Sequence, residues 1–148
     1  MKKIFSLAIA YGMWIVDLAL AFWLFYISRD AYLGIFALFY KKGQWGYSHL
    51  VDFLDKAFIL MLGLAWLTFM IVVEEYFRPG IQKGDLLKRF CRITGPVLLC
   101  TFVVDLILTW LQGIGGRGWL GWILISSELC IGLVMFVYAK SKTPSKIN

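Results

Sequence analysis

Residues 57–73 read AFILMLGLAWLTFMIVV, a run with no charged side chain on any face of a helix drawn through it. A helix at the surface of a soluble protein keeps one polar face, so a helix apolar all round needs apolar surroundings on every side. With its flank the run covers 53–73, about 32 Å at ~1.5 Å per residue, which matches the ~30 Å hydrocarbon layer of a bilayer. Three further stretches are apolar over a similar length, each interrupted by a single acid: 4–27, 93–112 and 119–139. The fold class expected is an all-α integral membrane protein, a single domain over 1–148 with four transmembrane helices.

Composition leads to the same place. Of 148 residues 61% are hydrophobic, against ~45–50% in soluble domains. A soluble chain of this size buries too small a share of its surface to hide that excess. The formal charge is +6, from 15 Lys and Arg against 9 Asp and Glu. The basic residues lie between the apolar runs, and no basic stripe is interleaved with stacking aromatics, so nucleic acid is not an expected partner. The opening Met1-Lys2-Lys3 has the look of a signal peptide. The apolar run behind it is too long for a signal core and no cleavage site follows, so it is read as a retained first span.

The connections are short. Ser28-Arg29-Asp30 closes the first run, and a shorter apolar stretch, 31–40, ends at Lys41-Lys42-Gly43. Ten residues make about 15 Å of helix, half a membrane, so 31–40 is expected to be a short interfacial helix between the first and second spans, with Asp30 at its N-cap. A loop at 44–49 carries Trp45 and Tyr47, and Asp52 is placed to cap the second span. Glu74 and Arg78 stand four apart and can pair, and Arg78-Pro79-Gly80 is expected to end that helix. The segment 78–92 reads as a cytoplasmic basic loop, with Asp85 capping a short amphipathic helix that leads into the third span. Pro96 marks a kink or a first helical turn. The glycine-rich stretch 113–118 turns the chain back into the fourth span.

Orientation follows from the positive-inside rule. With the N-terminus inside, the inner segments hold Lys2, Lys3, Arg78, Lys83, Lys88, Arg89, Arg92, Lys140, Lys142 and Lys146. The outer segments hold only Arg29, Lys41, Lys42, Lys56 and Arg117. That asymmetry implies both termini in the cytoplasm, and the location expected is the plasma (inner) membrane. Trp23, Trp45, Trp110, Trp119 and Trp122 then gather at the outer interface, where indole rings settle.

Chemistry concentrates in three acids inside the spans, Asp17, Asp105 and Glu128. A charged carboxylate at the bilayer centre costs about 2.5–3.5 kcal/mol even on the lenient insertion scale. Counted from the inner ends of their helices, the three fall at similar depths and can share one layer. Asp105 belongs to a stripe with Thr94, Thr101, Thr109 and Gln112, Glu128 shares a face with Gly121 and Gly132, and Asp17 lines up with Ser6, Ala10 and Ala21. Three readings stay open for this set: hydrogen-bonded glue between helices, contact with basic residues of another subunit, and an ion or proton path. The basic residues Arg78, Lys83, Lys88, Arg89 and Arg92 fit anionic headgroups or a cytoplasmic partner.

Other chemistry is not encoded. Cys91, Cys100 and Cys130 are odd in number and widely spaced, so they read as small buried hydrophobes without a disulfide framework or zinc site. His49 is the single histidine, three residues before Asp52; one such pair makes no metal centre, and two-histidine haem ligation within the spans is not available to this chain. No Walker loop, H-E-x-x-H or G-x-S-x-G occurs, so no catalytic, cofactor-binding or metal-binding residue is expected and the chain is not read as an enzyme. In carrying an acid in its first helix it resembles four-helix small multidrug transporters. The rest of that pattern is not visible, and no function is carried over. The expectation is a non-catalytic accessory or assembly subunit of a larger membrane protein complex, with lipids and other membrane subunits as partners. The alternative is a small proton- or cation-coupled transporter or channel acting as an oligomer through the intramembrane acids.

Overall fold

Apolar side chains leave the backbone amides no partners but one another, and all the described secondary structure is accordingly helical. The computed structural model describes residues 2–39, 47–83, 85–113 and 118–141, with the side chains of 2–6, 39, 47–48, 81–83 and 112 outside the described set. Four helices follow in order: α1 Lys2–Phe39, α2 Tyr47–Lys83, α3 Leu86–Gln112 and α4 Trp119–Lys140. Each is long and apolar enough to cross a membrane, as expected for a multi-pass membrane protein.

The helices run longer than the apolar stretches. With 38 residues, α1 measures about 57 Å at ~1.5 Å per residue, and α2, with 37, is nearly its equal. The separate interfacial helix expected at 31–40 does not form: residues 31–39 continue α1, and Tyr40 lies outside the described residues. The physical reason is that the polar triplet is absorbed by the helix. Ser28 Oγ donates to the carbonyl of Leu24, 2.7 Å away on the preceding turn. Arg29 is held by Asp55 of α2 through two hydrogen bonds. Neither proline nor a terminating glycine follows; Gly34 instead gives room to Leu111 of α3, whose Cδ1 lies 2.8 Å from where a Cβ would stand.

Two other expected ends move for similar reasons. Asp52 does not cap α2, which already starts at Tyr47; its carboxylate pairs with Lys56 one turn on, at 2.7 Å. Pro79 and Gly80 do not end α2, which runs through them to Lys83. Proline removes one amide from the ladder and pushes away the carbonyl four residues back, exposing neighbouring acceptors. Arg89 of α3 ties down the turn before the proline, its Nη1 donating to the carbonyl of Tyr76 at 2.6 Å. Segment 78–92 is therefore no extended loop. It is helical to Lys83 and again from Leu86, with Asp85 at the α3 N-cap position but without a side-chain capping bond. Pro96 lies inside α3, and the expected turn at 113–118 is described only at Gly113 and Gly118.

Packing is sequential and open. Helix α1 lies between α2 and α3, α3 lies between α1 and α4, and α2 also meets α3. Among the described residues, the backbone of α4 comes close to α3 alone. Two indoles tie α1 to α2: Trp14 donates to the carbonyl of Met70 and Trp66 to that of Leu18, both at 3.4 Å. Tyr32 and Phe58 stack with centroids 4.3 Å apart. Small residues, Ala10, Ala21 and Ala31, form much of the buried side of α1, and Ile27, Ala31 and Leu108 make a core cluster between α1 and α3. The buried stripe of α4 is Ile125, Gly132 and Ala139, a seven-residue repeat. Helices α3 and α4 cross where Gly95 meets Gly132: a Cβ at Gly95 would lie 3.1 Å from the Phe136 amide nitrogen and 3.4 Å from the Gly132 carbonyl oxygen. This is the small-residue crossing by which membrane helices approach closely.

Replacing Gly95 by valine is expected to force α3 from α4 and to cost about 1–3 kcal/mol, read as a lower melting midpoint in detergent. Gly12→Ala, where a Cβ meets nothing within 4 Å, is the control and leaves the midpoint unchanged or slightly higher. Equal melting of the Gly95→Val protein and the parent would mean the two helices do not cross there.

Candidate functional site

The polar stripe of α3 repeats at seven- and four-residue steps, which brings its members to one side of the helix. Thr94, Thr101, Asp105 and Thr109 are all buried, so the face expected for helix contact is indeed a packed one. Helix α1 meets it in parallel: Asp17 stands beside Thr94 and Gly34 beside Leu111. Asp17 has no exposed surface at all. One of its oxygens accepts a 2.6 Å hydrogen bond from Thr94 Oγ1, and the other, Oδ2, is buried without a hydrogen-bond partner.

The remaining threonines turn inward on their own helix. Thr101 Oγ1 donates to the carbonyl of Val97 at 2.9 Å and Thr109 Oγ1 to that of Asp105 at 2.7 Å. Asp105 is buried, and Glu128, on α4 between Ile125 and Gly132, has its Oε2 buried. The three acids do not share one layer. Asp17 is level with Thr94, and Asp105 lies eleven residues beyond Thr94, about 16 Å along the axis at ~1.5 Å per residue. From the Gly95–Gly132 crossing and the reach of Lys88 to Ser141, Glu128 falls near the level of Thr101, about one turn from Asp105. The expected common depth was counted from the starts of the apolar runs. In the packed molecule α3 is slid along α1, so that Ile93 stands near Val16 rather than near Ile4.

One polar pair escaped the sequence reading, which assigned Arg29 to an outer segment and left Asp55 out of the set of intramembrane acids. Arg29 Nε and Nη2 donate to the two oxygens of Asp55 at 2.7 and 2.8 Å. Both residues lie within stretches apolar enough to span, Leu7–Leu38 and His49–Gly80. The side chains are 36% and 21% exposed, and the fork-to-fork pairing neutralises the two charges against each other. The signal available in the sequence was an opposite-charge pair placed at similar distances on either side of the α1–α2 connection.

The basic residues gather at the opposite end, where α1 begins, α2 ends, α3 begins and α4 ends. Arg78 reaches Glu74 at 3.6 Å, the pairing expected from their spacing. Arg89 bonds the Tyr76 carbonyl and lies 4.9 Å over the Tyr76 ring. Arg92 donates to the Tyr76 hydroxyl at 3.2 Å, and Lys88 to the carbonyl of Ser141 at 2.9 Å. Lys83 ends α2, with its side chain outside the described set. His49 is exposed at the start of α2, and among the described residues no cluster of three His, Cys, Asp or Glu has metal-site geometry. All three cysteines are free; Cys91 is buried as expected, but Cys100 and Cys130 lie on outer faces of α3 and α4, since the open packing leaves those faces uncovered.

Compared with family models, with characterised proteins and with solved structures, the chain matches none.

The Asp17–Thr94 bond makes a direct prediction. Thr94→Val keeps the shape but removes the donor, and is expected to cost about 0.6–1.7 kcal/mol, the range measured for hydrogen bonds between membrane helices. Asp17→Asn keeps the acceptor and is expected to unfold close to the parent. Unfolding midpoints in mixed micelles check this, and an unchanged Thr94→Val protein would remove the bond from the account of stability.

Proposed function

We propose that the chain is a non-catalytic subunit, accessory or assembly in role, of a larger membrane protein complex in the plasma (inner) membrane, with both termini in the cytoplasm. The observation that carries this reading is the open packing: α4 leans on α3 alone. A second face of α4, with Leu120, Ile123, Leu124, Val134 and Val137, is left uncovered within the chain. The polar chemistry is largely consumed in holding helices together, by Asp17 with Thr94, Arg29 with Asp55 and Arg89 with Tyr76. Location and topology rest on the apolar helices and on the lysines and arginines collected at one end. In mild detergent the full chain is expected to elute with other membrane proteins in fixed stoichiometry. Val134→Trp on the open face of α4 is expected to reduce that recovery several-fold without changing the melting of the chain itself. A stable, monodisperse single species free of partners would overturn the reading.

A second reading, a small proton- or cation-coupled transporter or channel working as an oligomer, has one observation in its favour: the buried Asp17 Oδ2 without a hydrogen-bond partner. An acid with a spare oxygen at depth is a usual element of a proton or cation path. Under this reading Asp17→Asn, Asp105→Asn or Glu128→Gln lowers proton or cation flux into liposomes at least tenfold; unchanged flux in all three removes it.

A further inference from the structure

The cleft between the end of α2 and the start of α3 holds charge that the packing has not neutralised. It is lined by Tyr76, Asp85, Lys88, Arg89 and Arg92 and encloses about 200 Å³, several times the ~30 Å³ that a water occupies in the liquid. Elsewhere among the described residues each arginine meets a carboxylate, Arg29 with Asp55 and Arg78 with Glu74. Arg89 and Arg92 meet only neutral oxygens, the carbonyl and the hydroxyl of one tyrosine. A guanidinium has five N–H donors in a planar fork, so these bonds fix the two arginines side by side and leave donors over.

We propose that this cleft is a binding site for the phosphate of an anionic ligand, with the headgroup of an acidic phospholipid as the source that best fits its place. Arg89 and Arg92 alone outnumber the single carboxylate of the lining, Asp85, so the balance is positive with that acid counted. The first turn of α3, which has no side-chain cap, adds the positive end of its dipole. The site is built by the backbone: the Tyr76 carbonyl, in the turn before Pro79, anchors Arg89, and Gly80 makes room for its stem, since a Cβ there would stand 2.7 Å from Arg89 Cδ. Beyond Arg92 helix α3 carries no charged side chain as far as Asp105. That puts the cleft where hydrocarbon gives way to headgroups, and a planar fork matches a phosphodiester better than a point charge does. The proposal does not depend on whether the chain serves as a subunit or a transporter.

The test uses the full chain in nanodiscs of phosphatidylcholine, to which phosphatidylglycerol is added and retained lipid counted by native mass spectrometry. One phosphatidylglycerol per chain is expected to survive extraction, with phosphatidylcholine retained at least tenfold less. Arg92→Gln is the decisive variant because Arg92 is exposed and makes one side-chain bond; it is expected to lower phosphatidylglycerol affinity about fivefold with unchanged melting in the lipid-free detergent state. Arg89→Gln lowers it further. Lys56→Gln, at the far end of the molecule and paired with Asp52, leaves it unchanged. Retention that resists millimolar inorganic phosphate supports the proposal and assigns the lipid; displacement by inorganic phosphate supports it and assigns a free phosphate. Equal retention of the two lipids, unchanged affinity in Arg92→Gln, or an equal loss in Lys56→Gln would overturn it.

Discussion

Every polar group carried into an apolar slab must find its partner inside the protein, and this constraint shapes the molecule at each scale. The backbone meets it by becoming helix almost everywhere it is described. Side chains meet it in pairs: Thr94 with Asp17, Arg29 with Asp55, Thr101 and Thr109 with carbonyls one turn back. The indoles of Trp14 and Trp66 do the same across the α1–α2 seam. Each of these contacts orients a helix as well as satisfying a donor. Since lipid tails compete with leucine for apolar contact, such bonds and the close approach of small residues decide how the helices sit together.

Helix α3 is the organiser. One side carries the threonine and aspartate stripe against α1, and another carries Gly95 against Gly132 of α4. Its first turns reach back with Arg89 to the Tyr76 carbonyl, in the turn of α2 that precedes Pro79. A proline that would end a helix in water is thereby kept within one, and the guanidinium that supports it is left with donors to spare. Structural and binding roles meet in the same side chain.

The place of α4 gives the molecule an asymmetric outline. A closed four-helix bundle would cover each helix on two sides, whereas α4 is covered on one. Its uncovered face is wholly apolar apart from small residues, which suits a protein neighbour or lipid equally in polarity.

Much of this was legible in the residues themselves. Helix type and number follow from apolar runs with no polar face, as at 57–73, because that pattern has no stable solution in water. The Glu74–Arg78 pair and the close approach at Gly132 of α4 are local or periodic, and both appear where the spacing puts them. Three outcomes were decided only by the tertiary structure. The helix break expected at Ser28-Arg29-Asp30 vanishes because Asp55, distant in sequence, neutralises Arg29. The stop at Pro79-Gly80 vanishes where the turn before it is tied to α3, Arg89 donating to the Tyr76 carbonyl. The common depth of Asp17, Asp105 and Glu128 gives way to a staircase because the register of parallel helices is set by which side chains interlock. The sequence by itself determined which segments leave water, since that depends on each segment's own transfer energy. How far they slide along one another, and which charges they cancel, depends on contacts between residues far apart in the chain, and only the folded packing decides it.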